Sequence, residues 1–132
     1  MSVTVAEIIK IMEEIAPSSL AEEWDNVGLM VGDLTQDVER IMVSLDGDER
    51  VVDEAVRQKA NLIITHHPLF FHPVKNLIIN EPLGKVVRKL IKHDIALYSA
   101  HTNVDIAPGG INDYLAEILG LTEVEVLAET KE

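Results

Sequence analysis

The chain has 132 residues, 47% hydrophobic and 26% charged, with a net charge of -12 and no cysteine. That is enough for one domain with a core, and it excludes disorder, disulfides, thiolate metal sites and a cysteine nucleophile. The acidity leaves no basic stripe, so neither nucleic acid nor an anionic membrane surface is an expected partner.

No apolar run is long enough to span a bilayer, and residues 1–16 lack the basic start and cleavage site of a signal peptide, so a cytoplasmic location is expected. Thr4-Val5-Ala6-Glu7 has the form of a capping box. Ile8, Ile9, Met12 and Ile15 then fall on one helical face, and Pro17 stops the helix. Ser18–Trp24 reads as a connector or short helical turn. Within Trp24-Asp25-Asn26-Val27-Gly28-Leu29, Trp24 reads first as a packing residue, while Asp25 and Asn26 suit a cap or turn. The other reading is a loop that lines a site.

Arg40–Leu45 is the first clear strand, with Ile41, Val43 and Leu45 on one face. Asp46-Gly47-Asp48 turns the chain, and Asp48 can cap a helix carrying Val51, Val52, Ala55 and Val56. Leu62–Thr65 is a short apolar run of the kind a buried parallel strand shows. It breaks at His66, His67 and Pro68. Phe70–Asn80 is irregular, and Pro82 opens a helix through Leu83, Val86, Val87, Leu90 and Ile91. Ile95–Ser99 is a third strand, Ala100–Gly110 a polar loop, and Ile111–Leu119 a last helix with Gly120 after it. Val124–Leu127 is a candidate final strand. The pattern, α then βαβαβα, predicts a single α/β domain over residues 1–132, with a parallel sheet sandwiched between helices in three layers.

In such a sheet, ligands bind outside the carboxyl ends of the strands. Three strands end there in polar loops: at Asp46, at His66 and His67, and at the run from His101 to Asp105. Imidazole with carboxylate suits zinc, iron, manganese, cobalt or nickel. Adjacent histidines do not easily face one ion, which favours a two-metal site able to polarise a substrate and activate water. The bland alternatives are loop histidines that cap backbone groups, and turns at Asp46 and Asp105. His101 suits a supporting or substrate-touching role. His93 suits a helix end, and His72 carries a weaker signal. Glu123, Glu125, Glu129 and Glu132 read as a solvated surface. Pro108-Gly109-Gly110 is a weak candidate phosphate cradle. No nucleophile elbow, P-loop or dinucleotide fingerprint is present.

Three segments together, Trp24–Leu29, His66–Phe70 and Ser99–Asp105, resemble the NGG-interacting-factor-three family. Its bacterial and archaeal members are called dinuclear metal centre proteins or GTP cyclohydrolase 1 type 2 homologs. The resemblance runs from Thr4 to Leu121. It implies an α/β fold that is half of a duplicated one, and a pair of divalent metals. It maps metal ligands to His66, His67 and Asp105, and His101 matches a position near the site. From their places in the chain, His101, Asp46 and Asp25 are candidates for supporting the ligands or touching substrate. It also implies a metal-dependent hydrolase acting on a nucleotide or phosphoester. Family members are usually about twice this length, and their other half adds a histidine and a bridging glutamate. Nothing in Thr122–Glu132 replaces that motif. The expectation is therefore a homo-oligomer, or a second polypeptide that supplies the missing half and allows up to two metals; the other explanation is that the sequence is a fragment of a longer protein. The rival expectation is a non-catalytic interaction or regulatory module that oligomerises, with a partial metal site or none.

Overall fold

The structure, a computed structural model, describes residues 2–129. The chain opens with a two-residue strand, β1 (Val3–Thr4), and helix α1 (Val5–Ile15). The capping box forms: the Thr4 hydroxyl accepts from the Glu7 amide, and the Glu7 carboxylate accepts from the Thr4 amide. A single 3₁₀ turn follows at Ser18–Leu20. Then come β2 (Gly28–Val31), β3 (Asp37–Val38), β4 (Ile41–Ser44), α2 (Glu49–Gln58) and β5 (Leu62–Thr65). The chain continues through α3 (Pro82–Lys92), β6 (Ala96–Ser99), α4 (Thr102–Ile106) and α5 (Ile111–Ile118).

The main sheet has the order β2-β6-β5-β4. Strands β4, β5 and β6 run parallel in consecutive register, from Ile41 against Leu62 and Leu62 against Ala96. The wholly parallel sheet that the pattern predicts is corrected at one edge: β2 joins β6 antiparallel, with Gly28 opposite Ser99. The sheet is mixed and mostly parallel. The stretch Val124–Leu127 forms no strand, and Glu132 lies outside the described residues.

Alternation along the central strands builds two cores. Ile63 and Leu97 face Val52 and Ala55 of α2 and Val86 and Leu90 of α3. Leu62, Ala96 and Tyr98 face Val5, Ile8, Ile9 and Met12 of α1. Helices therefore cover both faces. The row Ile41, Val43 and Leu45 is left outward, with Val43 77% exposed, because β4 is an edge strand and α1 packs over its neighbours instead. Met42 takes the inward side.

Gly84 in α3 lets the 70–80 segment cross the helix, since a Cβ there would meet the Ile78 carbonyl oxygen at 2.0 Å. Tyr98 is fully buried, and its hydroxyl has no hydrogen-bond partner among the described residues. Burial and the charge of Glu13 push its pKa up. Tyr98→Phe keeps the ring and removes an unpaired polar atom. It should leave the thermal midpoint unchanged or raise it by an amount worth up to about 1 kcal/mol. A clear drop in midpoint would mean that the hydroxyl does have a partner.

Candidate metal centre

The ladder runs on past the strand ends and fixes the backbone beneath the histidines. The His66 amide donates to Ser44 O at 3.3 Å, the His67 amide to Leu45 O at 2.9 Å, and the Ala100 amide to Thr65 O at 2.9 Å. Under them, the buried Thr65 and Ser99 hydroxyls share a hydrogen bond of 2.9 Å. Thr65 also reaches the His67 carbonyl. Parallel register thus delivers β4, β5 and β6 to one edge at the same height, and their next residues meet there.

Three imidazoles converge. The His66 ring lies 5.2 Å from that of His67 and 5.0 Å from that of His101, centre to centre. One ring nitrogen of each lies within 4.8 Å of the others. Each Nδ1 has an oxygen partner: His66 has Ala100 O at 3.0 Å, His67 has Asp46 Oδ1 at 2.7 Å, and His101 has Asp25 Oδ1 at 2.9 Å. A carbonyl or carboxylate oxygen only accepts, so these contacts assign the proton to Nδ1. The neutral ring then presents the Nε2 lone pair, as a metal-binding histidine requires. Asp105 Oδ1 stands 3.8 Å from His66 Nε2.

The Asp25 side chain is buried, which by itself pushes its pKa up. Hydrogen bonds from the Thr102 hydroxyl, the His101 ring and the amides of Thr102 and Asn26 outweigh burial and hold it below the usual value. With its folded-state pKa depressed, Asp25 contributes stability that is present above the unfolded pKa. That stability is lost as pH falls through the folded one. Asp25→Ala removes the oxygen that orients His101 and frees the start of α4. Divalent-metal affinity should fall about 10–100-fold, read by competition with a chromogenic chelator. An unchanged affinity would show that His101 has no part in holding metal.

The structure places the expected residues as follows. His66, His67 and Asp105 come together, and His101 stands with them. Asp48 caps α2 as expected, through the Val51 amide at 2.9 Å, and Asp46 is more than a turn residue, since it holds His67. The expected loop 100–110 contains α4. Asn103 inside it is buried, accepts from the His101 amide at 2.8 Å and donates to Ala16 O at 2.8 Å. Trp24 is not a packing residue; it is 61% exposed and stands 6.4 Å from the His101 ring. His72 abuts Phe71, and His93 closes α3 as expected. The candidate phosphate cradle is already taken, since the Gly109 amide donates to Asp113. No helix among the described residues is long and apolar enough to cross a membrane.

A mixed α/β sheet whose strand ends gather three histidines and their carboxylates is an α/β protein with a histidine cluster compatible with metal binding. The chain belongs to the Duf34/NIF3 (NGG1p interacting factor 3) family, whose sequence profile matches residues 3–132. It is 46% identical over 129 residues to the GTP cyclohydrolase 1 type 2 homolog of Bacillus subtilis, covering 98% of this chain and 35% of that protein. It is 50% identical over 117 residues to the homolog from Clostridium perfringens, covering 89% of this chain and 45% of that one. Among solved structures, the Bacillus cereus protein related to NIF3 superposes with a TM-score of 0.93 at 49% identity, over 98% of this chain and 36% of that one. Reduced HcgD from Methanocaldococcus jannaschii superposes with a TM-score of 0.90 at 38% identity, over 98% and 52%. The chain thus spans between a third and about half the length of these relatives.

Proposed function

We propose that this chain is the divalent-metal-binding part of a metal-dependent hydrolase. The observation that carries the reading is the convergence of three imidazoles, each with an oxygen on Nδ1. The ligands are the Nε2 atoms of His66, His67 and His101 and the carboxylate of Asp105. A zinc, iron, manganese, cobalt or nickel ion suits that donor set and would supply Lewis acidity. Asp46 and Asp25 hold the rings in place. No lysine or arginine is among the described residues that line the clefts beside His67 and Trp24, so an incoming phosphate would rely on the metal. The substrate class is a nucleotide or phosphoester; the nucleotide is in line with the name of the Bacillus subtilis relative, a GTP cyclohydrolase 1 type 2 homolog. The fold is half of a duplicated one, and the other half, or a second polypeptide, brings further ligands and room for a second ion.

The test is metal content of the purified chain after loading with each of the five metals, followed by GTP and phosphoester hydrolysis assays. About one ion per chain supports the reading. No ion under any loading removes it.

A second reading is favoured by the surface. Leu115, Ile118, Leu119 and Leu121 on and after α5 are all about half exposed or more, as is Val43 on β4. Apolar surface of that kind is what an assembling protein buries. On this reading the chain is an interaction module that forms a homo-oligomer, and sedimentation would show a mass above that of one chain. A monomer at all concentrations would rule it out.

A further inference from the structure

Beside the histidine cluster lies a cleft of about 530 Å³, lined by Trp24, Asn26, Phe70, Phe71, Pro73 and Leu77 among others. Its volume falls within the range of small-molecule sites. Trp24 and Phe71 form a corner, 6.0 Å between ring centres with 61° between planes. Both stand close to His101, at 6.4 and 6.3 Å. The Asn26 side-chain amide donates to Phe70 O at 2.6 Å, which ties together the two loops that carry the rings. Trp24 is 61% exposed and Phe71 41% exposed. Two large aromatic faces are therefore left to water next to a polar cluster, on a wall their loops hold in place.

The electrostatics narrow the occupant. No lysine or arginine is among the described residues that line the cleft, so it does not attract phosphate. The Asp25 carboxylate there is already taken by His101, Thr102 and the Asn26 amide. What remains is π surface, the His72 imidazole against Phe71 included, and apolar area, which favours a flat ring over a charged or flexible group.

We propose that this cleft binds the planar, uncharged heteroaromatic ring of a small-molecule ligand whose polar end reaches the histidine cluster. The position of that polar end rests on the metal-centre reading above; the ring site does not. Trp24 and Phe71 select for a ring, while the histidine cluster receives the group attached to it.

The chain has one tryptophan, so its emission reports on this cleft directly. Titrating the metal-loaded chain with guanosine, a neutral fused heteroaromatic, should quench the emission to saturation, and ribose should not. Phe71→Ala keeps the reporter and should weaken guanosine binding about tenfold, as expected for loss of one aromatic contact. Its metal content should stay at the wild-type level. Trp24→Ala, read by calorimetry, should weaken binding at least as much.

The proposal is overturned if a chain that holds its metal gives no saturable guanosine signal, or if ribose binds equally well. It is also overturned if Phe71→Ala binds guanosine like wild type. An emission maximum that moves to the blue with protein concentration alone would mean that a second copy covers Trp24, and would overturn it too. Saturable guanosine binding by a chain that holds no metal would retain the ring site and remove the metal centre.

Discussion

The His66→Ala/His67→Ala double variant is expected to lose divalent-metal binding. Supporting partners of a ligand are worth about 10–100-fold in affinity, and here two ligands go at once, so the loss should exceed that range. His67 and His66 follow a strand whose core side chains are untouched, so the metal-free variant should melt close to the metal-free wild type. The two should separate when metal is added. An ion at a hundred times its dissociation constant stabilises the folded state by about 2.7 kcal/mol, and the variant should show no such rise. Scanning calorimetry with and without metal checks both points. The His93→Ala variant, altered at the exposed end of α3, is the control that should behave as wild type. Equal metal-induced shifts in the double variant and the wild type would refute the site.

Asn103→Ala should be the most destabilising single change near the site. Asn103 is fully buried and joins two backbone groups that have few other options: the His101 amide and the Ala16 carbonyl at the end of α1. Removing its amide leaves both without that partner, and each such loss costs about 1–3 kcal/mol. A total near 3 kcal/mol is expected as a lower urea midpoint at unchanged slope. The same variant should weaken metal binding, because the backbone of His101 is no longer held. A cost under about 1 kcal/mol would mean that water replaces the side chain.

The convergence at the strand ends was legible from the sequence because it needs only the βα rhythm and the rule that parallel strands end on one edge. The His-His-Pro break and the His101–Asp105 run were visible for that reason. What the sequence hid were the partners. Asp25 and His101 are 76 positions apart, and Asp46 and His67 are 21 apart, so no local spacing links them. Asp46 looked like a turn because it sits in Asp-Gly-Asp, where the capping role belongs to Asp48. The four residues of β2, opened by Gly28, carry too little pattern to signal a strand, and their antiparallel pairing is decided by tertiary packing. Likewise, the sequence puts Ile41, Val43 and Leu45 on one face but does not say which side is covered, because periodicity reports a stripe alone; the structure leaves that row outward.

The antiparallel edge also sets an order of events in folding. Within the main sheet, β2 has β6 as its one neighbour, so an early strand has no place to dock until a late one has formed. During synthesis, residues 28–31 must wait for residues 96–99, while β4 and β5, joined through α2, can pair sooner. Asp25 and Trp24 precede β2 and arrive with it, so the histidine cluster gains its last carboxylate partner only when the sheet is closed. Amide exchange should therefore find β2 opening before β5, and a bound ion should slow that opening indirectly, because Asp25, just ahead of β2, holds the His101 ring.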